Sequence, residues 1–338
     1  MKHCLALLYI LVARPALAQQ PQFTVHNLPL PRELSSADNQ FSGLSISAGK
    51  LFLLSESRLQ DNAEAKLYTV QLKDLERQLA DSTYVLPYQK LPLINLPALR
   101  TKINAAGQRY EGLEALLIDR GVVYLSVEND THSPNGYLLR GALSSNAVVL
   151  DTTFLVPLAK PVAADGAPIY NAGFEALAAS RRRLFGFFEF NYFSGENCAY
   201  EFTKKRLPAV RPPRKRRVER VPFRLTDITA VGRHRFTAIN YFFQGGGEDA
   251  VYRTPAGDLA STQLIQDRGT YRSYARLLTM EWKGQKFTWR PLWEFPESYR
   301  GYNWEGLAAY HGGYFVINDK YTPQRPFRTT LLYLKRVP

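Results

Sequence analysis

The chain has 338 residues, of which 45% are hydrophobic and 13% aromatic, enough apolar side chains to fill one large core. Its formal net charge is +13, and part of the excess is concentrated in residues 181–183 and 211–220. Such basic runs are typical of solvated loops, with contact to an anionic surface or substrate as the alternative. No nucleic-acid-binding signature accompanies them, so we expect no nucleic-acid partner.

Residues 1–18 have the features of a secretory signal peptide. Lys2 precedes an apolar run, and Ala16-Leu17-Ala18 forms a small-x-small cleavage site. The run is too short to remain as a membrane anchor, and no later apolar stretch reaches transmembrane length. We therefore expect an exported protein, periplasmic or extracellular, without a transmembrane segment. Residues 19–338 are predicted to form a single domain.

One β-hairpin pattern recurs five times after a first predicted strand at residues 23–28. In each copy, an apolar strand that begins with an acid or serine is followed by a second strand that ends in an acid or asparagine. Most copies continue with a third strand that has a tyrosine near its start, and then with a fourth apolar segment. The copies occupy residues 41–56, 110–128, 174–189, 226–240 and 303–320.

A unit of four strands repeated in this way predicts an all-β fold, a β-propeller with five four-stranded blades. The last copy has only three strands, so the spare strand at residues 23–28 is expected to complete the last blade and close the ring. A sixth blade is possible in the long interval between Asp227 and Glu305. The clearest helical spacing lies at residues 72–80.

The first strand of each propeller blade lines the central channel, so equivalent positions of these strands converge on the axis. Four carboxylates and one hydroxyl in such a ring require a cation or protons to offset their charge. Oxygen ligands of this kind suit calcium best. The alternative is a structural role, in which each acid accepts hydrogen bonds from backbone amides of the next blade. The predicted axial ligands are Ser42, Glu111, Glu175, Asp227 and Glu305.

A second ring is expected where the second strands end, at one mouth of the propeller. Its members are Glu56, Glu128, Glu189, Asn240 and Asp319, which are candidates for contact with substrate.

Side chains near this mouth supply the remaining candidates. Arg58 and Lys320 are predicted to hold an anionic substrate, and His132 is the histidine placed nearest to the mouth. Glu128, Asp319 and His132 are the candidate catalytic residues. No nucleophile elbow, zinc-protease motif or P-loop is present in the sequence.

Five short motifs resemble those of the phytase-like ("esterase-like activity of phytase") β-propeller proteins, and the ring of acids is similar to the calcium site of five-bladed calcium-dependent apyrases. The resemblance implies a propeller and calcium-assisted hydrolysis of phosphate or other esters, with a small anionic or ester substrate. We expect a monomer. The alternative is a non-catalytic propeller whose axial metal is structural and whose mouth binds a ligand or a cell-envelope partner. The motifs are Phe41-Ser42-Gly43-Leu44, Tyr110-Glu111-Gly112-Leu113, Phe174-Glu175-Ala176-Leu177, Leu225-Thr226-Asp227-Ile228 and Asn303-Trp304-Glu305-Gly306-Leu307.

Overall fold

The computed structural model describes residues 22–36, 39–56, 64–204, 213–255, 257–319 and 329–337. The predicted signal peptide, Arg58 and Lys320 lie outside these ranges. None of the helices in the described ranges is long and apolar enough to cross a membrane.

The strands group into blades in chain order, after β1 (Phe23–Leu28). The first blade contains β2 (Phe41–Ser47), β3 (Lys50–Ser55), β4 (Lys66–Gln71) and β5 (Tyr88–Ile94). The second contains β6 (Tyr110–Asp119), β7 (Val122–Asn129), β8 (Asn135–Leu143) and β9 (Val148–Ala159). The third contains β10 (Ala176–Ser180), β11 (Arg183–Phe187), β12 (Cys198–Thr203) and β13 (Arg214–Val218).

The fourth blade is interrupted by an insertion. It contains β14 (Arg224–Ala230) and β15 (Arg235–Phe242), and after the insertion β18 (Tyr274–Lys283) and β19 (Lys286–Glu294). The insertion holds a 3-10 helix (Gly247–Tyr252), α3 (Leu259–Ile265) and a small hairpin of β16 (Gln266–Asp267) and β17 (Thr270–Tyr271). The fifth blade contains β20 (Asn303–Tyr310), β21 (Gly313–Asp319) and β22 (Leu331–Arg336). The other helices are α1 (Leu72–Ala80), α2 (Leu96–Ala105) and α4 (Glu297–Arg300).

The innermost strands form a closed ring. Among the described residues, β2 contacts β6, β6 contacts β10, β10 contacts β14, β14 contacts β20, and β20 contacts β2 again. This confirms the predicted five-bladed propeller. The described part of the insertion contributes no four-stranded sheet, so it does not supply a sixth blade. The predicted helix at residues 72–80 is also confirmed, as α1.

The N-terminal strand closes the ring as the sequence predicts. β1 pairs antiparallel with β22, from Phe23 opposite Arg336 to Leu28 opposite Leu331, and so becomes the outer strand of the fifth blade. The two ends of the ring are thereby hydrogen-bonded to each other, and the edge that β22 would expose is covered. Parallel pairs also join outer strands of neighbouring blades, β5 with β9 and β13 with β19.

The hydrophobic core is divided among the interfaces between blades. In the described ranges, each buried cluster combines side chains from at least two adjacent blades. For example, Leu44 of the first blade and Ile317 of the fifth belong to one cluster, and Phe185 of the third and Phe236 of the fourth belong to another. A single blade therefore cannot bury its own apolar faces, and its stability depends on its neighbours.

Candidate functional site

A cavity of about 350 Å³ opens where the first strands of the blades begin and the second strands end. Every blade contributes to its wall, so residues that are distant in sequence meet there. Tyr170, Tyr241 and Phe243 supply aromatic surface, and Arg224 is the cationic lining residue in the described part of the chain. The acidic lining residues are Glu56, Glu114, Glu128, Glu175, Glu189, Asp249, Glu305 and Asp319.

β-Bulges near the start of four innermost strands shape this wall. At each bulge one residue has no register partner on the second strand, and a bulge re-aims the side chain that it carries. The four residues are Ser42 in β2, Glu111 in β6, Thr226 in β14 and Glu305 in β20.

The glycine that follows the bulge is required by close packing. A methyl group on Gly306 would lie 2.5 Å from Ile317 Cγ2 and 2.7 Å from Leu44 Cγ, across the interface between the fifth and first blades. A methyl group on Gly112 would lie 2.2 Å from Glu56 Oε2 and 3.3 Å from Glu114 Oε1. The repeated acid–glycine–leucine pattern thus combines a bulge with a close approach to the next blade.

The structure brings only two of the five predicted axial ligands to the cavity. Glu175 and Glu305 line it, whereas Ser42, Glu111 and Asp227 are not among its lining residues. Ser42 is 1% exposed and lies in the wall of the first blade. The bulge register also corrects the sequence alignment of the fourth copy, because Thr226, and not Asp227, occupies the position of Glu305.

Asp227 instead connects blades. Its Oδ1 accepts a hydrogen bond from Ile228 N at 2.7 Å, and its Oδ2 accepts one from Leu307 N of the fifth blade at 2.6 Å. Burial raises the pKa of the Asp227 carboxyl well above its usual range, against the opposite effect of these backbone donors. Asp227 therefore has the structural role predicted as the alternative to metal binding, in which an acid accepts a hydrogen bond from a backbone amide of another blade.

Four members of the predicted second ring line the cavity: Glu56, Glu128, Glu189 and Asp319. The fifth, Asn240, is turned into the fourth blade. Its amide donates to Pro222 O at 2.7 Å and Arg224 O at 3.0 Å.

Three other candidates lie away from the described cavity wall or outside the described residues. His132 is exposed and is not a lining residue. Arg58 and Lys320 belong to the residues outside the described ranges, so their proposed contact with substrate remains a prediction.

Three charged residues of the cavity are not predicted by the repeat: Glu114, Arg224 and Asp249. Glu114 is carried by a second bulge of β6, between Leu113 and Ala115, which no repeat position predicts. Asp249 comes from the 3-10 helix of the insertion. Arg224 had a usable signal, since it is a lone arginine in the apolar stretch at residues 221–225.

Arg224 is the centre of a buried polar network. Its guanidinium donates to Glu189 Oε1 at 2.6 Å and to Asp249 Oδ1 at 3.0 Å, and lies 3.5 Å from the centre of the Tyr252 ring. The Tyr252 hydroxyl donates to Glu189 Oε2 at 2.7 Å. Burial raises the pKa of Glu189, while Arg224 and the tyrosine hydrogen bond oppose the rise. Both carboxylate oxygens of Glu189 are therefore held in place by charge-assisted or hydroxyl hydrogen bonds.

Among the residues that the structure describes, Glu175 and Glu305 form no ion pair with a cation. Burial, and then the charges of Glu189, Glu305 and Glu128, raise the pKa of Glu175 well above its usual range. Burial, followed by the charges of Asp319, Glu56 and Glu189, has the same effect on Glu305. In the absence of an added cation, both carboxyls therefore hold a proton more strongly than a solvent-exposed glutamate does.

The donor chemistry of the cavity fits a hard cation, although the described residues do not form a compact cage. Its acidic side chains offer only oxygen, as calcium prefers, and Gly112 leaves room for the carboxylates of Glu56 and Glu114 to share one niche. No group of three or more His, Cys, Asp or Glu in the described ranges is close enough to form a complete metal site. A calcium ion would therefore need some rearrangement of the side chains, or ligands such as water.

Comparisons with known proteins do not assign a family. No protein-family model matches the chain, and no curated protein sequence matches it. The resemblance to phytase-like proteins therefore rests on the short motifs alone.

Solved structures with a similar fold are distant in sequence. They include an α-L-arabinofuranosidase from Clostridium thermocellum, with 9% identity, 83% of this chain and 81% of that chain covered, and a TM-score of 0.46. The catalytic domain of an α-L-arabinofuranosidase from Coprinopsis cinerea has 12% identity, coverage of 93% and 97%, and a TM-score of 0.46. A putative oxidoreductase (glucose dehydrogenase) from Thermus thermophilus has 13% identity, coverage of 92% and 99%, and a TM-score of 0.45. Similarities with such low identity and TM-scores do not support a conclusion about activity.

Proposed function

We propose that the protein is an exported, calcium-dependent hydrolase of phosphate or other esters, and that the acidic cavity is its active site. One observation carries the proposal: among the described residues, eight carboxylic acids line one cavity together with a single cationic side chain. Arg224 is already paired with Glu189 and Asp249. A divalent cation is the natural complement of such a cavity, because it permits the carboxyls to ionise without mutual repulsion.

The side chains best placed to hold the cation are those away from Arg224. Glu56 and Asp319 come from adjacent blades, and their charges both act on Glu305. Glu114 shares the niche at Gly112 with Glu56. Bound calcium would polarise a phosphoryl or acyl oxygen and lower the pKa of a coordinated water.

The remaining acids suit proton transfer. The Glu175 carboxyl, whose pKa is raised well above its usual range by burial and like charges, can donate its Oε proton to the oxygen of the leaving group. Glu128, whose side chain packs against Gly173, is placed to accept a proton from water. Glu189 is fixed by Arg224 and Tyr252, and acts as a positioned charge beside them.

Calcium-dependent stability and turnover test this proposal. The melting temperature of the purified protein is expected to rise with calcium, and hydrolysis of p-nitrophenyl phosphate, nucleotides, phytate or p-nitrophenyl esters is expected to stop when a chelator is added. Glu114→Gln should weaken both effects. Glu111→Gln is the matched control, because Glu111 is three residues earlier on β6 and does not line the cavity. Stabilisation by calcium without turnover of any ester would show a non-catalytic, metal-binding propeller instead.

A second candidate function is hydrolysis of an uncharged acetal, such as a glycosidic bond, by two carboxyl groups without metal. It is favoured by the different environments of two carboxyls: burial and like charges raise the pKa of Glu175 well above its usual range, whereas Arg224 and Tyr252 oppose the rise in the pKa of Glu189 that burial causes. An acid and a base in separate environments are the requirement for this chemistry. Turnover of aryl glycosides that resists the chelator and is lost in Glu175→Gln would replace the calcium proposal.

Export is a separate part of the proposal. If residues 1–18 are removed during secretion, the mature protein starts at Gln19. N-terminal sequencing of the protein recovered from the periplasm or medium tests this, and an intact N-terminus on cytoplasmic protein would contradict it.

A further inference from the structure

The face opposite the cavity is formed by the turns between strands. The cavity lies where first strands begin and second strands end, so the turns that join them are at the far end of each blade. The turns between third and fourth strands, such as β18–β19, lie on the same far face. The two faces of the ring therefore present different parts of every blade.

Cationic side chains are concentrated on this far face in the second, third and fourth blades. Neighbouring turns are in contact there: Ser180 Oγ donates to Arg233 O, and the Arg183 guanidinium lies 4.4 Å from the centre of the Trp282 ring. The cations thus belong to one continuous surface. We define the basic face by the exposed residues Arg120, Arg181, Arg182, Arg233, Arg235 and Lys283.

Three acids in the described part of this surface are paired with cations. Lys204 Nζ lies 2.6 Å from Asp119 Oδ2, and Lys283 Nζ lies 2.6 Å from Glu281 Oε2. Glu201 is paired with both Arg183 and Arg216.

Three exposed arginines of the basic face are available to bind an anionic partner. In the part of the chain that the structure describes, Arg181, Arg182 and Arg233 make no ion pair with a carboxylate. All three are exposed, so an approaching anion meets no steric obstacle from the described residues.

We propose that the basic face binds a membrane surface that contains anionic phospholipids. Its turn tips come from three blades and present arginine, whose planar guanidinium suits phosphate groups. Val231, 40% exposed on the β14–β15 turn, adds an apolar contact beside Arg233. Stacking on nucleic-acid bases is disfavoured, because the tryptophan of this surface, Trp282, is only 9% exposed and is covered by Arg183.

The acidic cavity reinforces one orientation on such a membrane. Anionic lipids attract the basic face and repel the cavity, which lies at the other end of the blades. The cavity therefore opens away from the lipid and stays accessible to a soluble ligand. This inference does not depend on what the cavity binds or hydrolyses.

Vesicle binding of the full-length secreted protein tests the proposal. We expect sedimentation with phosphatidylcholine vesicles that contain about one-third phosphatidylserine, little with pure phosphatidylcholine, and release at about 0.5 M salt. Each cation removed from the contact should lower the partition coefficient about fivefold, so Arg181→Asn with Arg182→Ser should lower it about 25-fold.

The chain offers a closely matched control. Arg268 has the same left-handed backbone as Arg181, with φ of 48° and 49°, and lies on the cavity side in the insertion. Arg32 is exposed in the segment between β1 and β2, also on the cavity side. Arg268→Asn with Arg32→Ser removes the same charge, and binding should change less than twofold because these cations are away from the contact.

Three results would overturn the proposal. These are equal binding to neutral and anionic vesicles, an equal loss in the two double variants, and capture on DNA-cellulose without any vesicle binding. The first result would indicate that the contact is apolar, and the second that binding depends on net charge alone. The third would indicate that the basic face binds a different polyanion.

Discussion

Glu305→Gln is expected to stabilise the calcium-free protein at pH 8 and to leave its stability unchanged at pH 5. The pKa of Glu305 in the folded state is raised well above its usual value by burial and by the charges of Asp319, Glu56 and Glu189. The folded protein therefore binds a proton that the unfolded chain has released. The stability that this proton supplies is complete below the unfolded pKa and is lost as the pH rises through the folded pKa. Glutamine has a similar shape and does not ionise.

The size of the effect follows from proton linkage. One proton difference changes the free energy of unfolding by about 1.4 kcal/mol per pH unit, or up to about 4.1 kcal/mol between pH 5 and pH 8. A folded domain of about 300 residues has an unfolding entropy of about 0.6 kcal/mol/K, so the melting temperatures should separate by up to about 7 °C. Glu305 is half-buried, and water in the cavity screens part of its interactions, which makes these figures upper limits.

Calorimetric melting between pH 5 and pH 8 in a chelator measures this separation. Glu111→Gln is again the control, because it removes a half-buried glutamate of an innermost strand outside the cavity. With calcium in excess the order should reverse, since the wild-type protein gains a ligand that the variant lacks. Parallel melting curves for wild type and Glu305→Gln across the pH range would refute the reasoning about the cavity charge.

Three further perturbations test the architecture. Gly306→Ala should lower the free energy of unfolding, measured in urea, by about 1–3 kcal/mol, because the added methyl group overlaps the neighbouring blade. Gly195→Ala should be nearly neutral, because a methyl group added there has no described atom within 4 Å. Arg224→Met should cost about 3–5 kcal/mol at neutral pH, since it leaves the Glu189 carboxylate buried without its partner. The loss should be smaller in acid, where protonation of Glu189 removes the buried charge; an equal loss in acid and at neutral pH would contradict the pairing. Deletion of residues 19–28 removes β1 and should produce oligomers in size-exclusion chromatography, because the edge of β22 is then free to pair; a monomer of unchanged stability would contradict the role of β1.

Much of the cavity wall was visible in the repeat. The acids that end the second strands, such as Glu56 and Asp319, occupy equivalent places in their blades, and the fivefold symmetry brings them to one mouth. The cavity residues of the first strands were harder to predict, because a bulge changes which side chain faces inward. Glu111 and Glu114 are both bulged residues of β6, and only their three-dimensional placement shows that Glu114 lines the cavity.

The sequence predicts solvated loops for the basic runs, but part of one run forms a regular β-strand. Residues 214–218 form β13, where Arg216 pairs with Glu201 at the outer edge of the third blade. The exposed arginines at 181 and 182 lie in the tight turn between β10 and β11. These arginines lie on the same face as the other cations because of the arrangement of the blades. The positions of the charges along the sequence do not reveal that arrangement.

The sequence by itself determined the repeated four-stranded unit and the closure of the ring. Both follow from local patterns: strand alternation repeats with each unit, and a spare strand at one end matches a missing strand at the other. Only the tertiary structure decided which acids share the cavity. Asp227 accepts a backbone hydrogen bond from the fifth blade, whereas burial and like charges raise the pKa values of Glu175 and Glu305 in the cavity. This difference depends on contacts between blades, which are set by bulge register and by the close packing of glycine, so a one-residue shift moves an acid from the cavity to a structural hydrogen bond.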